Sequence, residues 1–169
     1  MFNRTRTGIA VLMGVVALTG TVAVSATAAD TGSAAARANA SPDLEEMLVY
    51  AIEDEYGALE HYAAIIEEYG VLRPFTNIMR SEETHIELLE PLFASYGYEL
   101  PDGVDHPAAP ESLQAAFELG VDAEIANIAM YESFLERELP ADVRDVFERL
   151  MRASENHLRA FETGLARYR

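Results

Sequence analysis

Five residues of types that bind metal fall where apolar side chains belong: Glu55, Glu82, His85, Glu124 and His157. Each lies midway along a stripe with helical spacing. The first stripe reads Leu48, Ile52, Glu55, Leu59, Tyr62, Ile66, and the second Phe75, Ile78, Glu82, His85, Leu89, Leu92. The third reads Leu113, Phe117, Val121, Glu124, Ile128, Tyr131, Leu135, and the fourth Val143, Phe147, Leu150, Ser154, His157, Phe161. Every stripe is interrupted at its centre and nowhere else. An isolated buried carboxylate costs several kcal/mol unless it is paired or coordinated, so such a layer calls for a cation. Two imidazoles with three carboxylates make a nitrogen and oxygen ligand set suited to iron, with manganese or zinc as alternatives. A hydrogen-bonded network of protonated Glu, His and Ser is the other arrangement these residues allow.

The elements that would position this layer are four helices. Ser41-Pro42 is read as an N-cap and first helical residue, opening a helix that runs to Tyr69 and stops at Gly70. Pro74 opens a second helix ending near Tyr96, with Pro91 expected to kink or loosen its last part. A third starts near Pro110 and Ser112 and ends before Pro140; a fourth runs from about Asp142 to the C-terminus. No stretch alternates with period two, so no strand is expected. Short connections make helices one and two antiparallel neighbours, and likewise three and four. The coil from Gly97 to Ala109 is long enough to reach about 40 Å, the length of a bundle. The fold class is therefore all-α, a four-helix bundle of two antiparallel hairpins joined by a long crossover, which is the ferritin-like topology. An up-down-up-down bundle with one slack loop is the alternative.

Composition narrows the chemistry further. The 169 residues hold 29 acidic against 12 basic side chains, a net charge of −17, and every basic residue is Arg. That surface repels nucleic acid and anionic lipid, so neither is an expected partner. The absence of Cys excludes disulfides, iron–sulfur clusters and a lipid-modified Cys anchor, leaving His and carboxylate as ligands. Arg4 and Arg6, the apolar run Gly8 to Val24 and Ala26-Thr27-Ala28 read as a signal peptide over residues 1–28 with a cleavage site. The run is short for a membrane span, although an uncleaved anchor is the competing reading. Residues 29–40 read as a flexible linker, and residues 41–169 as the bundle. The expected location is secreted or in the cell envelope, with no stable membrane insertion after cleavage.

The chain also repeats itself. Phe75-Thr-Asn-Ile-Met-Arg-Ser-Glu-Glu-Thr-His85 lies over Phe147-Glu-Arg-Leu-Met-Arg-Ala-Ser-Glu-Asn-His157, and Glu55 with Tyr62 matches Glu124 with Tyr131. Two related hairpins imply a pseudo-twofold axis through the layer of Glu and His. The order Glu55, Glu82-x-x-His85, Glu124, then a His157 motif resembles the ferritin-like di-iron carboxylate proteins. More narrowly, Tyr69-Gly70, Phe75-Thr-Asn-Ile, Ser81-Glu-Glu-Thr-His85, Gly120-Val-Asp-Ala-Glu124 and Ser154-Glu-Asn-His157-Leu-Arg-Ala-Phe161 resemble the family called domain of unknown function 2202 (DUF2202).

That resemblance implies a carboxylate-bridged metal pair, with Glu55 and Glu124 as terminal ligands, Glu82 as a bridge, and His85 and His157 on one metal each. It names no substrate; oxygen- or peroxide-linked redox chemistry is what the metal set suggests. The chain departs from the pattern at Ser154, where a second bridging Glu is expected; a non-catalytic envelope or binding protein that has lost full metal competence is the alternative. His61 and His106 are expected to be solvated and outside the site. Tyr62 and Tyr131 are expected to be core-edge aromatics or redox-active neighbours of a metal.

Overall fold

Capping chemistry and glycine stops account for most of the helix limits. The computed structural model describes residues 32–168, which form five α-helices and a short terminal 3-10 turn, with no strand among the described residues. The signal-peptide features at Arg4, Arg6 and Ala26-Thr27-Ala28 lie outside the described residues.

The first helix, α1 (Gly32–Ala38), was not expected: these residues were read as flexible linker. Its Ala-rich sequence suits a helix, but seven residues cannot hold one alone, so packing must supply the rest. It lies against the second and fourth helices, with Ser33 and Ala36 buried. Gly32 is required there, because a Cβ would stand 1.8 Å from the carbonyl oxygen of Tyr50.

α2 (Leu44–Tyr69) begins later than Ser41-Pro42 suggested. Asp43 is the N-cap: its Oδ1 accepts from the Glu46 N–H at 2.9 Å while Glu46 Oε2 accepts from the Asp43 N–H at 2.8 Å. This reciprocal box satisfies two otherwise orphaned donors and outcompetes the single Ser41 hydroxyl. α3 (Phe75–Tyr96) starts after Pro74 and continues through Pro91, which lies on the exposed side. Gly70 and Gly97 take positive φ, 84° and 75°, and close α2 and α3 as expected. α4 (Leu113–Leu135) is capped by the Ser112 hydroxyl, and α5 (Ala141–Leu165) follows Pro140.

The closest packing is of α2 on α3 and of α4 on α5, with lighter contacts of α2 on α4 and α3 on α5. The chain between Tyr96 and Ser112 runs the length of the bundle. At one end the Tyr96 hydroxyl donates to Asp142 at the start of α5; at the other the Tyr69 hydroxyl donates to the Pro110 carbonyl. Between them His106 pairs with Glu60 on α2 at 2.6 Å. α3 and α4 therefore run parallel.

Two apolar clusters fill the two ends. One gathers Leu48, Ile52, Leu89, Phe93, Phe134 and Phe147; the other gathers Ile65, Phe75, Ile78, Phe117, Phe161 and Leu165. Between them lies a layer of buried polar side chains.

Candidate metal centre

The five sequence-derived residues all lie in that layer. Glu55 and Glu82 are each 2 % exposed, His85 and Glu124 4 %, and His157 8 %. They come from four different helices, one or two from each, because every stripe carries its polar residue at mid-length.

The geometry is that of two clusters sharing one carboxylate. His85 Nδ1 lies 2.7 Å from Glu82 Oε2 and 3.0 Å from Glu55 Oε2. His157 Nδ1 lies 3.3 Å from Glu82 Oε1 and 3.4 Å from Glu124 Oε1. Glu82 thus turns one oxygen to each imidazole. The two rings stack with centroids 5.7 Å apart and planes 22° from parallel. Within each of the groups Glu55–Glu82–His85 and Glu82–Glu124–His157, one ligand atom per residue falls within 4.8 Å of the others, close enough to hold an ion.

The tyrosines complete the symmetry. Tyr131 on α4 donates to Glu55 Oε1 at 2.8 Å, and Tyr62 on α2 donates to Glu124 Oε1 at 3.3 Å. Both are fully buried rather than at the core edge. A carboxylate seven residues before each Tyr on its own helix therefore receives the hydroxyl from the other hairpin.

Electrostatics follow from burial and charge proximity. Desolvation pushes Glu55 up to about 8 and Glu124 up to about 7, in spite of a nearby imidazole in each case. Desolvation acts on Glu82 as well, but the two imidazoles that face its oxygens overcome it and hold this carboxylate down to about 2. Desolvation opposes charge on the two rings, yet the facing carboxylates raise His85 to about 10 and His157 to about 9. Without a cation, the site therefore keeps its protons, with Glu82 as the anion between two imidazolium ions.

Beside this set stand residues that the sequence reading missed. The Ser154 hydroxyl donates to Asn127 Oδ1 at 2.7 Å, and Asn127 Nδ2 donates to Asp54 Oδ2 at 2.6 Å. Asp54 Oδ1 accepts from the Ser33 N–H of α1 at 2.8 Å. Burial raises the Asp54 carboxyl above its ordinary value. The available signal for Asn127 was its place three residues after Glu124, the spacing of Glu82 and His85. His61, expected in solvent, is buried at 8 % exposure, and desolvation lowers its pKa. His106 is exposed, as expected.

No family model matches the chain. Over 147 residues it is 27 % identical to the uncharacterized protein MJ0754 of Methanocaldococcus jannaschii, covering 76 % of this chain and 78 % of that one. The crystal structure of MJ0754 superposes with a TM-score of 0.68 at 26 % identity, over 76 % of this chain and 82 % of its own. A conserved hypothetical protein of Mycobacterium tuberculosis, rv2844, matches at a TM-score of 0.61 and 15 % identity, over 80 % of this chain and 94 % of its own. At that identity the second likeness is one of fold alone. The chain thus shares its helical architecture with these proteins.

Proposed function

We propose that this chain is an exported, ferritin-like metal-binding protein related to the DUF2202 family, whose centre takes iron or manganese at two adjoining positions. The single observation that carries this reading is Glu82, fully buried, with one carboxylate oxygen turned to each of two imidazoles. The donor set fits a divalent metal: neutral imidazole nitrogen and carboxylate oxygen are the ligands that iron and manganese share. Glu55, Glu82 and His85 would hold one ion, and Glu82, Glu124 and His157 the other. Bound there, either metal supplies one-electron redox chemistry suited to dioxygen or peroxide. Tyr131 orients Glu55 by donating to Oε1, the oxygen that does not face His85, whereas Tyr62 donates to Oε1 of Glu124, the same oxygen that faces His157. The apolar clusters above and below close the layer towards the two ends of the bundle. Loading requires that protons leave His85 and His157, so ligand binding and proton release are coupled. The parallel placement of α3 and α4 and the bundle-length crossover support the ferritin-like assignment.

A second reading, a structural bundle without full metal competence, is favoured by Ser154. Its hydroxyl is already satisfied by Asn127, so nothing on α5 replaces a second bridging carboxylate. Two measurements decide between them. Elemental analysis of purified chain is expected to find iron or manganese, with the second equivalent held more weakly than the first. The substitution Ser154→Glu separates the readings by sign. If the centre holds metal, the variant binds closer to two ions per chain and melts higher with added iron(II) or manganese(II). If it is a structural network, an added buried charge destabilises the fold by several kcal/mol and metal restores nothing.

A further inference from the structure

The centre is enclosed by four helices, and a charged ion must cross their packing to reach it. We infer that metal ions enter through the seam between α2 and α4, along two adjoining cavities in which Asp54 is the transit ligand. This inference rests on the metal-binding reading above.

The inner cavity, about 10 Å³, is bounded on its deep side by Glu55, Glu82, Glu124 and Ser154. The outer cavity, about 20 Å³, is lined in addition by Gly57 and His61, both buried, and by the half-buried Leu119. Asp54, Ala58, Tyr62 and Ala123 line both. Asp54, Ala58, Leu119 and Ala123 are half-buried, whereas Glu55, Glu82 and Ser154 are 2 % exposed. Small side chains explain why the seam stays open: Gly57 and Ala58 on α2 face Ala123 on α4, and none can fill the gap between the two backbones.

Size then determines what passes. Each cavity has room for roughly one or two water molecules, so an ion cannot pass with its full hydration shell. It must exchange water for protein oxygen on the way, since a bare ion in an apolar seam is prohibitively costly. Asp54 is the carboxylate placed to do this. Its oxygens accept from the Ser33 N–H, the Ser33 side chain and Asn127 Nδ2, which leaves one of the carboxylate's four lone-pair sites for a further partner. Tyr62 stands at the junction of the cavities, its hydroxyl donating to Glu124, so the path leads from Asp54 to a ligand of the centre. A net charge of −17 raises the local concentration of cations at the mouth.

The test follows uptake of manganese(II) by the chelator-treated full chain, from the loss of the free-ion paramagnetic resonance signal, and then counts manganese per chain at equilibrium. Asp54→Asn should slow uptake by about tenfold or more by removing the local charge, with the final count unchanged. Ala123→Leu should slow it further by filling the seam. If Ala123→Leu does not fold, Ala58→Val narrows the same passage more gently. Glu87→Gln, an equal charge change at an exposed site on α3, should load like wild type. Wild-type rates in both Asp54→Asn and a seam-filling variant would overturn the passage and leave the metal centre standing. A lowered final count in Asp54→Asn would make Asp54 a resident ligand and overturn its transit role. A wild-type chain that takes up no manganese overturns both readings.

Discussion

In the half of the centre built on Glu55, His85 lies 3.0 Å from Glu55 and 2.7 Å from Glu82, and Tyr131 donates to Glu55 at 2.8 Å. In the half built on Glu124, the matching distances are 3.4, 3.3 and 3.3 Å. The ligands are the same, and the looseness is not. Two neighbours account for it. Ser81 approaches His85 Nε2 at 3.2 Å, so that ring is held at both nitrogens, whereas the matching position on α5 is Ala153. Glu82, which serves both halves, sits on the same helix as His85 and reaches it within one turn; position 154 offers His157 only a hydroxyl that is already engaged. The repeat of hairpins thus supplies two equivalent ligand sets, and single-residue differences beside them set how firmly each is held.

The comparison can be broken most severely at the shared residue. Glu82→Gln removes the anion between two imidazolium ions, and taking one partner from a buried charge pair costs about 3–5 kcal/mol. Metal per chain should fall to nearly none, since both halves lose a ligand. Elemental analysis with thermal unfolding measures both, and a variant that keeps one full equivalent would show that the halves do not share Glu82.

A pH titration sharpens the contrast. Glu55 and Glu124 have folded pKa values raised to about 8 and about 7, so they favour folding at low pH and lose that contribution as pH rises from the ordinary carboxylate range through those values. His85 and His157, raised to about 10 and about 9, contribute fully below the ordinary imidazole value and lose it as pH climbs through 9 and 10. Glu82 works the other way, losing its contribution only as pH falls towards 2. Chelator-treated protein should therefore melt progressively lower from about pH 5 to pH 10. By imidazole NMR, His157 should lose its proton before His85; the reverse order would contradict the tighter hold on His85.

The smallest expected difference is between the tyrosines. Tyr131→Phe should cost about 1 kcal/mol, the usual net worth of a buried hydrogen bond, and Tyr62→Phe less, because its bond is longer. Equal losses in denaturant unfolding would mean that the difference in length carries no energy.

How much of this was legible in the sequence depended on how sharply each helix is two-faced. In α5 every residue of the expected stripe, from Val143 to Phe161, is buried, and charged residues occupy the opposite face. In α4 apolar residues lie around most of the circumference. The expected line through Val121, Ile128 and Leu135 is only half-buried, and the deepest line runs through Gly120, Glu124, Asn127, Tyr131 and Phe134. Glu124 and Tyr131 belong to both lines, so the site was found while Asn127 was missed. Asp54 escaped notice because it is next to Glu55 and belongs to no stripe; its burial depends on α1. That helix in turn has no periodic signal, since Gly-Ser-Ala-Ala-Ala-Arg-Ala is too short and too small-residue-rich to show one. His61 went astray for a related reason: it lies beside the stripe, and it lines the α2–α4 seam together with Leu119 and Ala123.

The crossover from Tyr96 to Ser112 has a consequence for inheritance. A half-length chain carrying only the α2–α3 hairpin would meet a second copy of itself, and every residue near the axis would then be spelled twice by one gene. Position 154 would be Glu because position 82 is, and Asn127 would be Ala because position 58 is. Joining two hairpins through a strap that spans the bundle lets each side mutate alone while the parallel arrangement of α3 and α4 is kept. A single gene passes on an unequal centre, with Ser154 at the position that matches Glu82, because the two hairpins are tied into one chain in this way.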